Sequence, residues 1–179
     1  MANSRMKKTM RDMVISLGVI VIPITVAVFF ISHQPATPVP TISGASFQTM
    51  LTAARSAESF PVLAPVGLPT SWHATSENYT MPGDAAADWH IGYQVPSNTY
   101  AEVEETTEPI GNFLSDASSD ATEVANVQID GVTWQEYTGT TPAALKILLV
   151  RTATGSLTEL VAGSAPLSDL EQLAGSLKG

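Results

Sequence analysis

The 179-residue chain has no cysteine. That absence excludes a disulfide scaffold, cysteine zinc sites, a thiol nucleophile and a lipid-modified N-terminal cysteine. It fixes no redox compartment, because cysteine-free chains occur on both sides of membranes. Charge is also scarce, at 14% of residues, and basic residues number 8 against 17 acidic ones, for a net charge of −9. Nucleic-acid binding needs a basic face, so no nucleic-acid partner is expected. The sequence contains no glycine-rich phosphate loop, no D-x-D-x-D-G calcium loop, no G-x-S-x-G elbow and no H-x-x-x-H or H-E-x-x-H spacing. Ser4-Arg5-Met6-Lys7 matches S-x-x-K only formally, with no S-D-N or K-T-G partner. No cofactor, no metal and no catalytic residue is therefore expected.

What the chain does have is an uneven charge distribution. Arg5, Lys7, Lys8 and Arg11 are half of its basic residues, and with Asp12 they make the first dozen positions +3. After Ile31 there are four basic residues and 16 carboxylates, for a net charge of −12. Between the two lies Met13 to Ile31, uncharged and dominated by Val, Ile, Leu and Phe. As a helix it is about 28 Å long, close to the hydrocarbon thickness of a bilayer. The flanking positive charge predicts a single-pass span with residues 1–12 in the cytoplasm and the body of the chain outside. A cleaved signal peptide is the rival reading, but its apolar core is shorter and small residues follow it closely. Here Gln34 stands where a small residue is wanted, and Ser43-Gly44-Ala45 lies too far downstream.

Residues 32–45, with Pro35, Pro38 and Pro40, read as an extended spacer. The apolar fraction of the whole chain, 44%, is ordinary, so residues 46–179 are expected to fold as one domain. Ser46 is a candidate cap for a helix with Phe47, Met50, Leu51 and Ala54 on one stripe. Phe60 to Pro69 is too proline-rich for a helix or central strand, and reads as an apolar segment laid across the core. Trp72 to Thr80 is β-prone. Trp89, Ile91, Tyr93 and Val95 alternate with polar residues as in a half-buried strand, and Tyr100 to Glu104 forms another. Pro109 opens a helix carrying Ile110, Phe113, Leu114 and Ala117. Asp130-Gly131 is a hairpin signal between Val127–Ile129 and Val132–Trp134. Ala144 to Val150 predicts a central strand, Thr154-Gly155 a tight turn, and Leu157 to Ala162 another strand. After Pro166, Leu167, Leu170, Leu173, Ala174 and Leu177 stripe a final helix. The fold class is α+β, one mainly antiparallel sheet covered by short helices on one face.

Three groups of side chains bear on function. His73 and His90 lie on adjacent predicted strands. With His90 opposite Asn78 and His73 opposite Val95, about 16 Å separates them, too far to share a metal. Glu102 and Glu104 share one strand face and read as a solvated acidic edge that resists aggregation, while Glu105 points the other way. Paired acids at that spacing are also the geometry of glycoside cleavage or weak calcium binding. Trp72, Tyr79, Trp89, Tyr93 and Trp134 read as core packing. Their alternative role is an aromatic ligand or partner face.

Several segments resemble one family. They are Met10-Arg11-Asp12-Met13-Val14, Phe60-Pro61-Val62-Leu63-Ala64-Pro65 with Gly67-Leu68-Pro69 and Trp72, His90-Ile91-Gly92-Tyr93 with Pro96 and Tyr100, and Gly131 with Trp134. The family is a group of membrane-anchored actinobacterial proteins, the domain of unknown function numbered four-two-four-five. The chain departs from it at Ser71 and Glu104-Glu105-Thr106. The resemblance implies one N-terminal span and a small domain outside the cell membrane, and carries no catalytic residues. The expected function is a non-enzymatic accessory or interaction domain of the cell envelope, with an envelope protein as partner. The alternative is a binding module for an apolar or glycan ligand, and a third reading is an envelope hydrolase.

Overall fold

The computed structural model describes residues 40–179, apart from 59, 82, 84, 85, 143 and 154–156. The basic tail, the span expected at 13–31, most of the spacer and the turn expected at Thr154-Gly155 lie outside the described residues. Among the described residues no helix is long and apolar enough to cross a membrane. In chain order the elements are α1 (Gly44–Ala57), β1 (Ala64–Pro65), β2 (His73–Thr80), β3 (Asp88–Gln94), β4 (Tyr100–Thr106), α2 (Ile110–Ala117), β5 (Thr122–Ile129), β6 (Val132–Thr138), β7 (Ile147–Thr152), β8 (Thr158–Gly163), α3 (Leu167–Ser176) and β9 (Leu177–Lys178).

Seven strands form one antiparallel sheet in the order β2-β3-β4-β8-β7-β6-β5. Two meanders, β2–β4 and β5–β8, join where β8 lies beside β4. Asp130 and Gly131 both take positive φ, 49° and 82°, as the tight hairpin between β5 and β6 requires. β8 is the middle strand and is buried along its whole length, and beside it lies the interior strand expected in the Ala144–Val150 run. In that run β7 begins only at Ile147, and Leu148, Leu149 and Val150 are fully buried.

Ser43, not Ser46, caps α1, its hydroxyl accepting the Ser46 N–H at 3.1 Å. The helix therefore starts inside the expected spacer. Leu51 and Ala54 are buried, with Phe47 and Met50 packed beside them. Residues 60–69 cross the sheet as an extended strap. Its prolines deny it a helical ladder, and Val62, Leu63 and Ala64 are buried. β1, at its centre, pairs with β9 after the last helix.

The helices do not share one face, as the sequence pattern had suggested. α1, α3 and the strap cover the face bearing Trp89, Ile91, Val103, Leu149 and Val161. α2 packs on the opposite face through Phe113, against Leu148, Val150, Leu160 and Ala162. The topology explains this. The chain leaves interior strand β4 and must reach edge strand β5, crossing β8, β7 and β6. One face is already occupied, so the crossing runs over the other. Among the described residues α2 packs over β7, β8 and Tyr137 of β6; over β3 and β4 that face opens into a cleft.

Candidate functional site

The open half of that second face is built from polar residues that strand alternation brings together. His90 pairs with Glu104, Gly92 with Glu102, and Asp88 with Thr106. β4 lies between β3 and β8. Glu102 and Glu104 are therefore on an interior strand, which corrects the reading of an acidic edge; Glu102 is only 7% exposed. Sequence alternation places the two on a common face, as found, but says nothing of their neighbours.

Glu102 is held by two groups. Tyr100 OH donates to its Oε2 at 2.8 Å, and His90 Nε2 lies 3.2 Å from the same oxygen. Tyr100 OH and His90 Nε2 are themselves 3.2 Å apart. Burial and the Glu102 charge push the Tyr100 hydroxyl well above its ordinary range, so it remains a donor. Gly92 makes this cluster possible. A Cβ there would overlap Ser76 Oγ and the Tyr100 ring and hydroxyl, so only glycine lets the tyrosine lie across β3.

Beside this cluster, Asp88 and Glu104 lie close enough for each to shift the other's ionisation. Burial, then the Asp88 charge, pushes the Glu104 carboxyl well up. Burial also raises Asp88, opposed by Glu104 and by His90. Two carboxyls this close cannot both ionise cheaply. Asp88 Oδ1 is buried without a partner. The pair opens into a cleft of about 510 Å³ lined also by Thr80, Thr106, Glu108, Pro109 and Phe113. A second depression, about 330 Å³, shares Glu104, Glu108 and Phe113 and adds Asp116 and Leu145. Among the described residues the one ion pair made by a lysine or arginine is Arg151–Glu159, so no lysine or arginine pairs with Asp88, Glu104 or Glu108 there. No group of three or more His, Asp or Glu among the described residues has metal-holding geometry.

The aromatic residues singled out from sequence fall elsewhere. Trp72, Trp89, Tyr93 and Trp134 are buried under the helices and strap. Trp72 meets Tyr93 edge-on at 6.1 Å, and Tyr79 meets Trp89 edge-on at 6.5 Å. Trp134 belongs to the same core but, among the described residues, makes no ring pair with the others. Along the register from Trp89 the next residues are Glu105, Glu159 and Arg151, and the Arg151 guanidinium lies 4.7 Å over the Trp134 ring. Charged side chains thus lie between Trp89 and Trp134 along the sheet. Tyr79 borders an open depression, about 560 Å³, with Ala45, Ser46, Thr49, Met50 and Ala53 of α1. His73 sits opposite Gln94 and is exposed, while His90 sits opposite Asn78 as expected. Sequence reading missed Asp88 as the partner of Glu104. The only signal for it was alternation on β3, where Asp88, His90 and Gly92 share one face.

No curated protein and no solved structure matches the chain. A family model does, over residues 5–177, and it describes proteins of unknown function; the chain belongs to that family, DUF4245.

Proposed function

We propose that the protein is a single-pass membrane protein, with residues 1–12 in the cytoplasm and residues 13–31 in the bilayer. Its folded domain stands outside the cell membrane as a non-enzymatic accessory or interaction module. The charge asymmetry about the apolar run supports the orientation. The observation that carries the interaction reading is the cleft of Asp88, Glu104 and Glu108 beside Phe113, a concave acidic site on an otherwise well-packed sheet. Such a cleft suits a cationic group on an envelope partner, an amine or guanidinium with an apolar stem that rests on Phe113. His90 and Tyr100 are engaged with Glu102, an arrangement that orients a carboxylate rather than activating a nucleophile.

The test is crosslinking of the full-length protein in intact cells, alongside an anchor-only chain and the triple substitution D88N, E104Q and E108Q. A partner captured by the full chain, absent with the anchor alone and lost in the triple variant is the expected result. Capture that survives the triple substitution would remove the cleft from the reading. Mature protein recovered soluble and starting near Ala45 would remove the anchor.

A second reading has its own observation. The depression between α1 and Tyr79 is mostly apolar and suits an apolar or glycan ligand. Small molecules copurifying with the full chain, and lost in Y79A or M50A, are the outcome it requires.

A further inference from the structure

Leu63, in the strap, is gripped at both backbone atoms by side chains of the sheet. Its N–H donates to Glu105 Oε2 at 2.7 Å, and its carbonyl accepts from Trp89 Nε1 at 2.9 Å. One residue earlier, the Val62 carbonyl accepts from Arg55 Nε of α1 at 3.1 Å. Glu105 is completely inaccessible to solvent. Its second oxygen, Oε1, has no hydrogen-bond partner. A buried carboxylate with a bare oxygen is costly, and the group avoids that cost by keeping its proton. The charged groups that act on it are Glu159 from β8, Arg151 from β7 and Arg55 from α1. β3 presents the uncharged Trp89, the strap has no ionisable side chain, and the α3 residues in this core are Leu170, Leu173 and Ala174. Two carboxyls against Arg151, itself engaged by Glu159, leave Glu105 without a dedicated counter-ion.

We propose that Glu105 is a proton-operated latch for the strap: neutral, it holds residues 60–66 down on the sheet, and ionised, it drives them to lift so that water reaches Oε1. The strap is the element that moves because it is the thinnest cover, an extended segment with one two-residue ladder to β9. The sheet beneath it is hydrogen-bonded on both sides of β4. This inference is independent of the acidic cleft, which lies on the opposite face.

Burial, and then the Glu159 charge, push the Glu105 carboxyl up to about 8, while the Leu63 N–H and the two arginines oppose this. With the strap lifted, the carboxyl is hydrated and returns toward its ordinary value of 4.5. The open state therefore loses its proton first as pH rises. The latch is fully engaged below the ordinary carboxylate range and weakens as pH climbs to about 8.

The experiment is hydrogen exchange of the full-length protein between about pH 5 and 9, read by mass spectrometry over the strap peptide and the β8 peptide. The ratio of the two rates cancels the intrinsic pH dependence of exchange. That ratio is expected to rise by about tenfold per pH unit, the effect of one proton, and to level off above about pH 8. In E105Q, which keeps an acceptor for Leu63 N–H but has no charge to gain, it is expected to stay flat. A ratio independent of pH in the wild type overturns the latch. So does loss of protection in β8 in step with the strap, which would make Glu105 a determinant of global stability only. Both overturning results are read on the wild type, so the test stands even if E105Q folds poorly.

Discussion

Glu104 and Glu105 are neighbours in sequence on an interior strand, yet they sit in opposite worlds. Glu105 faces α1, α3 and the strap, sealed from water with a backbone N–H as its partner. Glu104 faces the half-covered side, beside Asp88 in the lining of a cleft, and the Asp88 charge adds to burial in raising it. Burial raises both carboxyls, but the consequences differ. On the closed face, a charge is relieved only by moving structure. On the open face, solvent or a partner group relieves it without rearrangement. The contrast follows from coverage: three segments close one face, and a single eight-residue helix shields part of the other.

The largest effect that probes this contrast is in the core. Leu148 and Leu149 are both fully buried and point to opposite faces. L149A is expected to cost about 4 kcal/mol, near the upper part of the range for leucine truncation, because the closed face is hemmed in and collapses little. L148A is expected to cost about 2–3 kcal/mol, because α2 can settle into the space. Urea denaturation of each variant measures this. Equal costs would show that α2 closes its side as firmly as α1 and α3 close theirs.

A smaller effect tests the polar cluster. G92A forces a methyl group into Ser76 Oγ and Tyr100, and is expected to cost about 1–3 kcal/mol as overpacking. The double variant G92A/Y100A is expected to fall short of the sum of its singles, because the clash with Tyr100 is gone and only that with the Ser76 hydroxyl remains. Additivity would mean that Tyr100 is not what Gly92 accommodates.

The smallest effect is a slope. Glu104 is raised in the folded protein, so the stability associated with its proton is present at low pH. It is lost as pH rises from the ordinary carboxylate range through the raised folded value. E104Q is expected to flatten the dependence of the unfolding free energy on pH in that window by about one proton's worth, ~1.4 kcal/mol per pH unit, read by urea denaturation across that range. An unchanged slope would place that proton elsewhere.

Local features of the fold were legible. Alternation at Trp89, Ile91 and Tyr93, the Asp130-Gly131 turn and the prolines before α2 and α3 each set a local backbone choice, and each element is present. Even the β2–β3 register was nearly right. His90 faces Asn78 as alternation required, but His73 faces Gln94 rather than Val95, because an irregularity between Ala74 and Ser76 shifts the ladder by one residue. The candidate site was less legible. Glu102 and Glu104 could be assigned a common face, but not an interior strand, because that depends on β8 pairing with β4 across more than fifty intervening residues.

The sequence by itself determined the family, the α+β class, the charge asymmetry and most element positions, since these rest on composition and on interactions among near neighbours in the chain. Only the tertiary structure decided that α2 crosses the sheet on the face away from α1 and α3. It also decided that Asp88 lies beside Glu104, that Arg151 stacks over Trp134, and that Glu105 lies sealed beneath Leu63. The reason is physical: one residue of strand alternation chooses a face, but what covers that face is set by non-local pairing and by the path of the connections. Burial, and the protonation that follows from it, are properties of that cover.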